Sequence, residues 1–333
     1  MTRRVERGLF LALIAVGSSA LALTVTAGAG DGAWGPSHGP RGEITALALD
    51  PTRSSTIVAS TSGRVFRSVD GGRSWRRGNG WRRISDGSAS IASLALGPRT
   101  VYVGTYDGLY TSTDFGRTWR SANDGLDTKF EIEVLALAID PRTPTTVYAG
   151  LWGAGVHKST DAGHTWRAVL RGVVVYELAV DRRTPKTVYA ATGRGVFRST
   201  DAGRSWQFRG SPGSGSVREL AIDPSRTATV YLVGWEGVFK SVNGGRTWRA
   251  VNDGLAETED FGVADLAIDP RDGATIYAAT PTGVFRSTDA AARWESFNEG
   301  LAQTRVDALA FDASGRTLYA GTPGGVIDYR FPR

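Results

Sequence analysis

The sequence predicts an all-β protein, a seven-bladed β-propeller in which each blade is a four-stranded antiparallel sheet. Three observations lead to this prediction. A block of eight residues recurs seven times at spacings of 41–47 residues, a period typical of propeller blades. Each unit also contains short runs rich in Val, Ile, Tyr and Phe that lack helical periodicity. Finally, a turn followed by a tryptophan closes six of the seven units.

The amino terminus is predicted to be an export signal, residues 1–29. Residues 1–8 are positively charged, residues 9–25 are mostly apolar, and Ala27-Gly28-Ala29 has the A-x-A pattern of a cleavage site. A retained single-span anchor is the alternative, although 17 residues lie at the short end of the spanning range. Either way, the single domain at 30–333 is expected to be secreted or extracytoplasmic, in a bacterial cell envelope.

The first three strands of each unit follow in a fixed order. The first strand is a V/I-x-x-L-A-x-D-P block, as in ITALALDP at 44–51, and the second is a T-V-Y-A-G-like run, as at 146–150. The third is a G-V-F-R-S-like run, as at 195–199. The last unit has these strands at about 306–311, 316–320 and 325–330 but lacks a fourth. Residues 32–36, which contain Trp34, are therefore predicted to complete blade 7 and close the ring.

The turn that ends each unit has the pattern S-x-D-x-G-x-x-W. An aspartate can hydrogen-bond the backbone N–H groups of such a turn, and a glycine supplies the positive φ. The tryptophan then begins the fourth strand and buries a large ring between neighbouring sheets. The pairs are Asp70 and Trp75, Asp114 and Trp119, Asp161 and Trp166, Asp201 and Trp206, Asn243 and Trp248, and Asp289 and Trp294. Because Asn243 replaces the aspartate and Ala291 the glycine, those two turns are expected to be weaker.

This pattern resembles the Asp-box, or BNR, repeat of sialidase-like propellers, and we refer to the six segments as the Asp-box turns. The chain is also similar to the propellers of photosystem II assembly factors and of xyloglucanases. The resemblance implies that the aspartates brace turns on the face opposite the binding surface and are not catalytic. It specifies the architecture of about nine tenths of the chain and says little about activity.

The composition excludes several kinds of site. The chain has no cysteine, so it has no thiolate metal site or cysteine nucleophile, and its three histidines are scattered along the sequence. No metal or cofactor is therefore expected. The formal net charge is +6, but no basic run suited to a phosphate backbone occurs, so nucleic-acid binding is not indicated.

Residues that break the repeat are the candidates for function. They cluster in the loops between the second and third strands and between consecutive blades, which share one face of a propeller. We call the predicted ring of charges and aromatic side chains around the channel mouth the rim: Trp81, Tyr106, Asp107, Trp152, Arg194, Trp235, Glu236 and Phe261. Such a rim suits a protein or glycan partner. A solvated loop face with scattered aromatic residues is the alternative.

A glycoside hydrolase is the competing function. Sialidase-like enzymes have six blades, an Arg-Ile-Pro motif, three arginines that bind a carboxylate and a Tyr–Glu nucleophile pair. This chain has seven predicted blades and no Arg-Ile-Pro, although Arg41, Arg218 and Arg305 could form the arginine set and Tyr176 with Glu219 the pair. Xyloglucanase-type enzymes use two tandem propellers with two catalytic acids. Hydrolysis here would need two carboxylates roughly 5–10 Å apart. The candidate acids are Glu177, Glu219, Asp265 and Asp307.

The intact structural motifs and the missing catalytic ones favour a non-catalytic scaffold. The protein is expected to be monomeric and to bind its partner in the cell envelope. Membrane contact is expected only through the N-terminal segment, where that segment is uncleaved. The sequence leaves open the identity of the partner and the presence of an ion in the channel.

Overall fold

The computed structural model describes residues 32–35, 39–78, 90–126, 132–213, 215–255, 262–302 and 305–332. These residues form 27 β-strands and no helix, and the strands are arranged in seven antiparallel sheets. The prediction of an all-β, seven-bladed propeller is therefore confirmed. The signal predicted at 1–29 lies outside the described residues. Within them, no helix is long and apolar enough to span a bilayer.

Blades 1 to 6 each contain four strands in sequential order. Blade 1 comprises β1 (Ile44–Leu49), β2 (Ile57–Thr61), β3 (Arg64–Ser68) and β4 (Arg76–Arg77). Blade 2 comprises β5 (Ile91–Leu96), β6 (Val101–Thr105), β7 (Gly108–Ser112) and β8 (Arg120–Ser121). Blade 3 comprises β9 (Val134–Ile139), β10 (Val147–Leu151), β11 (Gly155–Ser159) and β12 (Arg167–Leu170).

The remaining blades repeat this plan. Blade 4 comprises β13 (Val175–Val180), β14 (Val188–Thr192), β15 (Gly195–Ser199) and β16 (Gln207–Phe208). Blade 5 comprises β17 (Val217–Ile222), β18 (Val230–Gly234), β19 (Gly237–Ser241) and β20 (Arg249–Ala250). Blade 6 comprises β21 (Asp265–Ile268), β22 (Ile276–Thr280), β23 (Gly283–Ser287) and β24 (Glu295–Ser296). Blade 7 comprises β25 (Ala308–Phe311), β26 (Thr317–Thr322) and β27 (Gly325–Arg330).

The first strands of the blades form the inner ring. Each of them contacts the first strands of both adjacent blades, and β25 contacts β1. The seven sheets therefore radiate from a central channel that the first strands surround.

The core lies between neighbouring blades. Every second strand in blades 1 to 6 is buried along its whole length. The second-strand tyrosines are at most 3% exposed: Tyr102, Tyr148, Tyr189, Tyr231, Tyr277 and Tyr319. Tyr231 of blade 5, for example, packs in one apolar cluster with Trp294 of blade 6. Burying one large apolar side chain contributes about 1.5–3 kcal/mol, so these clusters hold the blades together. The repeated tyrosines are therefore core residues.

The amino-terminal residues complete blade 7. Trp34 forms an antiparallel bridge with Tyr329, and the amides of Gly32 and Gly35 donate to the carbonyls of Arg330 (2.9 Å) and Asp328 (2.6 Å). Trp34 is 5% exposed and its indole N–H donates to the carbonyl of Phe297 in blade 6 (2.9 Å). The outer element of blade 7 is thus a single bridge with two flanking hydrogen bonds, at the position that the sequence predicts.

The Asp-box turns are held by the aspartate, as the residue pattern predicts. The carboxylate of Asp161 accepts hydrogen bonds from the Ser159 hydroxyl (2.7 Å) and the amides of His164 (3.0 Å) and Thr165 (2.9 Å). The Ser159 hydroxyl and other donors to this carboxylate lower its pKa. In blade 5, Asn243 keeps the same acceptor role toward the amides of Arg246 and Thr247, both at 3.0 Å.

The Asp-box turn of blade 6 differs from the others in having an alanine with a left-handed backbone conformation. Ala291 adopts a φ of 65°, in the left-handed region that glycine occupies in the other turns, for example Gly163 at 83°. A residue with a Cβ in this region costs about 1–2 kcal/mol relative to the right-handed region. The weaker turn expected in blade 6 therefore has a structural basis, whereas Asn243 preserves the hydrogen bonds of its turn.

The chain has two distinct faces. In blades 1, 3, 4, 5 and 6 an amide of the Asp-box turn donates to a carbonyl in the loop between the first and second strands of the same blade, as in Gly71 to Ser55 (3.0 Å) and Ala202 to Lys186 (2.8 Å). We call the face formed by these loops and turns the Asp-box face. On the opposite face, loops between second and third strands bond the residues before the inner strands, as in Trp152 to Glu133 (3.0 Å). This second face carries the rim.

Candidate functional site at the channel mouth

Three large aromatic side chains are exposed on the rim. Tyr106, Trp152 and Trp235 are 42%, 43% and 41% exposed, and each begins the turn between the second and third strands of its blade. In blade 2 the hydroxyl of Thr105 fixes this turn, because it donates to the carbonyl of Gly108 (2.9 Å) and accepts from the amide of Asp107 (3.0 Å). These bonds fix the turn that carries Tyr106, whereas blades 3 and 5 have Leu151 and Gly234 in place of the threonine.

Two of these rings are held by residues from inner strands. Trp152 of blade 3 meets Tyr176 of blade 4 edge to face, with ring centroids 6.3 Å apart. The guanidinium carbon of Arg218 lies 3.4 Å from the ring centroid of Trp235. Aromatic pairs and cation–π contacts each contribute about 0.5–1.5 kcal/mol beyond burial. Both tryptophans are thus oriented before any partner binds.

Three carboxylates lie deeper in the channel, below the rim. Glu177, Glu219 and Asp265 occupy the third residue of the repeat block in blades 4, 5 and 6. The other blades have small residues at this position: Ala46, Ser93, Ala136 and Ala308. Asp265 accepts hydrogen bonds at 2.7 Å from the amides of Leu266 and of Leu309, the latter in the inner strand of blade 7. One half of the channel wall is therefore acidic.

The environment of these carboxylates favours their protonated forms. Burial raises the pKa of Glu177 to about 8, and the charge of Asp265 adds to this rise. Burial raises the pKa of Glu219 well above its usual range, with further contributions from Glu177 and Asp265. Burial also raises the pKa of Asp265 to about 6, although its two amide hydrogen bonds oppose the change. Glu177 and Asp265 can therefore exchange protons near neutral pH, and we call the three groups the acid cluster.

The fourth candidate acid lies in a different environment. Asp307 accepts from Nε of Arg305 (2.8 Å), and Nη2 of Arg305 also binds Glu43 (2.6 Å). Burial raises the pKa of Asp307 even though Arg305 opposes the rise. The structure thus joins Glu177, Glu219 and Asp265 but places Asp307 in an ion-pair network with Arg305 and Glu43.

The three candidate arginines have different surroundings. Arg305 is bound by two carboxylates, Arg218 is stacked on Trp235, and Arg41 is exposed. Tyr176 contacts Trp152, and Glu219 belongs to the acid cluster. The arginine set and the Tyr–Glu pair that a sialidase would need stay predictions.

The remaining rim residues are placed as follows. Arg194 is exposed in the turn of blade 4, where its amide donates to the Thr192 hydroxyl (3.1 Å). Glu236 is exposed beside Trp235, and its carbonyl accepts from the Asn252 side chain (3.0 Å). Trp81 and Phe261 lie outside the described residues. Within the described ranges, no group of three or more His, Cys, Asp or Glu side chains is arranged to hold a metal ion.

One feature of the channel was not predicted from the sequence. A cavity of about 420 Å³ opens at the Asp-box end of the channel, and its wall includes Val180, Ile222, Ile268 and Phe311. These residues end the inner strands and recur in every unit, so the repeat explains them as strand residues. The ends of five inner strands enclose this cavity only because the ring closes, and the repeat pattern does not indicate it.

Comparisons with known proteins agree with the fold. No protein-family model matches the chain, and no curated protein matches its sequence. A GH74 xyloglucanase from Xanthomonas campestris is 19% identical with a TM-score of 0.71, over 88% of this chain and 52% of the enzyme. YCF48 bound to a D1 peptide is 15% identical with a TM-score of 0.67, over 88% of this chain and 94% of YCF48.

A third similar structure is the extracellular domain of the two-component system protein BT4673 from B. thetaiotaomicron, with 15% identity and a TM-score of 0.66. This match covers 88% of this chain and 39% of that one. The chain spans only about half the length of the GH74 enzymes it matches. Enzymes, a peptide-binding protein and an extracellular domain therefore share this architecture, and at these identities the likeness shows the seven-bladed propeller fold alone.

Proposed function

We propose that the protein is an exported, non-catalytic propeller that binds a protein or glycan partner through its rim. The observation that carries this proposal is the set of three exposed aromatic rings on one face, two of them held in place by Tyr176 and Arg218. Rigid aromatic anchors bind with little loss of conformational entropy and are typical of binding hot spots.

The charges around these rings add specificity. The exposed carboxylates of Asp107 and Glu236 place negative charge beside the anchors, and the exposed Arg194 places one positive charge among them. A partner that offers cationic or hydrogen-bond donor groups would therefore be recognised best. The YCF48 structure with a D1 peptide supports a polypeptide partner, because that propeller has nearly the same length as this chain.

The test is capture of partners from envelope extract by the purified protein. We expect Trp152→Ala and Trp235→Ala each to weaken capture by at least about tenfold, with thermal stability nearly unchanged. Phe208→Ala is the matched control, because Phe208 is a 56% exposed aromatic residue on the outer strand β16. Unchanged capture in both tryptophan variants would place the binding site elsewhere.

Glycoside hydrolysis is the second candidate, and the acid cluster favours it. A carboxyl group whose pKa lies near neutrality can act as a general acid beside an ionised neighbour. Fluorogenic sialosides and β-glucan oligosaccharides test this function directly. Turnover that disappears in Glu177→Gln or Glu219→Gln would establish hydrolysis, and no turnover at high protein concentration would exclude it for these substrates.

A further inference from the structure

The Asp-box face is strongly basic at its surface. Every described lysine and arginine in its loops and turns is exposed: Arg53, Arg73, Arg99, Arg117, Arg142, Arg182, Arg183, Lys186, Arg204, Arg226, Arg246, Arg271, Arg293 and Arg316. The same loops and turns contain twelve aspartates, of which only Asp161, Asp272 and Asp289 are exposed. Five of these aspartates are buried and four are partly buried, so exposed basic side chains outnumber exposed acidic ones on this face by fourteen to three.

The local turn chemistry explains this separation. The aspartates that follow the inner strands are buried because they hold the next loop. Asp181, for example, is 2% exposed and accepts from the amides of Arg183 (2.8 Å) and Thr184 (3.1 Å). The long arginine side chains extend outward from the same loops. One of them, Arg271, pairs with its own Asp269 (2.7 Å).

On the opposite face acidic residues outnumber arginines, although burial favours the neutral forms of Glu177 and Glu219. The described turns and strand starts around the rim hold eight acids, Glu43, Asp107, Glu133, Glu177, Glu219, Glu236, Asp265 and Asp307, against five arginines, Arg41, Arg64, Arg194, Arg218 and Arg305. The charge is thus distributed unequally along the channel axis. A negatively charged surface would attract the Asp-box face and repel the rim.

The path of the chain points to the same face. Gly32 is bonded to Arg330, the last residue of β27, and the next residue, Phe331, donates its amide to Arg316 on the Asp-box face (3.0 Å). Gly32 therefore lies at the Asp-box end of blade 7. The apolar segment predicted from the sequence ends at Val25, and seven residues of extended chain reach about 25 Å. A retained segment would hold the Asp-box face next to a bilayer.

From the exposed charge and the chain path together, we infer that the Asp-box face docks on an anionic phospholipid membrane. This surface would contact the membrane in addition to the N-terminal segment that the sequence predicts. Each basic residue near an anionic bilayer increases binding by roughly fivefold, and salt screens the effect. Docking would turn the rim away from the membrane. The docking surface contains none of the residues of the proposed partner site, so either proposal can fail alone.

The absence of cysteine permits a direct test on the full chain. Val69→Cys and Ser62→Cys place a fluorophore at exposed positions in the same blade, on the Asp-box face and on the rim respectively. Vesicles contain phosphatidylcholine alone or mixed with phosphatidylglycerol, with a headgroup-attached quencher. We expect quenching of the label at position 69 on phosphatidylglycerol vesicles, its loss at high salt, and little quenching at position 62.

Charge reversal completes the test. Arg53→Glu together with Arg73→Glu should reduce quenching at position 69 to the level at position 62. Arg64 is an exposed arginine at the rim end of β3. Arg64→Glu reverses a charge on the other face and should leave the quenching at position 69 unchanged. Because the signal reports which face lies near headgroups, it separates docking from simple tethering. Equal quenching at both positions, none at position 69, or equal signals on the two vesicle types would overturn the inference.

Discussion

The sequence proposes four equivalent candidate acids, but one of them lies one position earlier in the repeat than the other three. The structure places this acid in different surroundings from the others. Glu177, Glu219 and Asp265 are the third residues of their blocks, whereas Asp307 is the second. In blades 4 and 5 a bulge in the pairing of the inner and second strands lies just before the glutamate. A bulge redirects the side chains next to it. The sequence could predict acids at the channel, but it could not predict which of them lie together.

The raised pKa of Glu177 predicts a pH-dependent stability. Because the folded protein holds this proton up to about pH 8 and the unfolded chain loses it near 4.5, the folded state binds more protons in this window. The free energy of unfolding should therefore fall as pH rises through the window. Glu177→Gln removes the buried charge and should increase stability above pH 8 by about 1–3 kcal/mol, with a smaller effect near pH 4.5.

Chemical denaturation of both proteins at several pH values measures this difference. Denaturation at the acidic end serves as the internal control, because the wild-type carboxyl is protonated there and resembles the amide. A stability difference between the two proteins that is the same at every pH would mean that the pKa of Glu177 is equal in the folded and unfolded states.

At the scale of single elements, local chemistry made the strands and turns predictable. Alternating β-branched and aromatic residues identify the first three strands of each blade, and the S-x-D-x-G-x-x-W pattern identifies the turns. The outer strands were less predictable, since five of them pair over only two residues and begin after the tryptophan. Only β12 extends to four residues. Sequence pattern indicates where an outer strand begins, whereas its length depends on contacts with the next blade.

The Asp-box turn offers a prediction with a natural control inside the chain. Asp161→Ala removes the acceptor for the Ser159 hydroxyl and two backbone amides, and it should lower the free energy of unfolding by about 1–3 kcal/mol. Asp161→Asn should cost less than about 1 kcal/mol, because Asn243 makes the equivalent bonds in blade 5. Denaturant unfolding compares the two variants, and equal losses would show that the carboxylate charge matters more than its acceptor geometry.

At the scale of the whole molecule, the fold separates charges that the sequence mixes. Acidic and basic residues are interspersed along the chain without a basic run. The formal net charge of +6 therefore gave no reason to expect one predominantly basic face. Ring closure places all loops of one type on one face, where the arginines are exposed and five of the twelve aspartates are buried. A basic face thus arises from topology, which is why composition alone could not indicate it.

Closure of the ring itself depends on residues almost 300 positions apart. Trp34 packs against Phe297 and Tyr329 and donates to the Phe297 carbonyl, so it links the amino terminus to blades 6 and 7. Trp34→Ala should cost about 3–5 kcal/mol of stability, as expected for a buried tryptophan. Trp166→Ala, a similarly buried tryptophan of blade 3, should cost a comparable amount.

The two variants should differ in where the structure loosens. Without Trp34 the outer edge of β27 loses its partner, so hydrogen exchange should accelerate across residues 325–332 while blade 3 stays protected. Trp166→Ala should give the reverse pattern, with faster exchange near β11 and β12. Exchange measured by mass spectrometry distinguishes the two outcomes. If blade 7 kept its protection in Trp34→Ala, the three strands β25 to β27 alone would suffice to close the propeller.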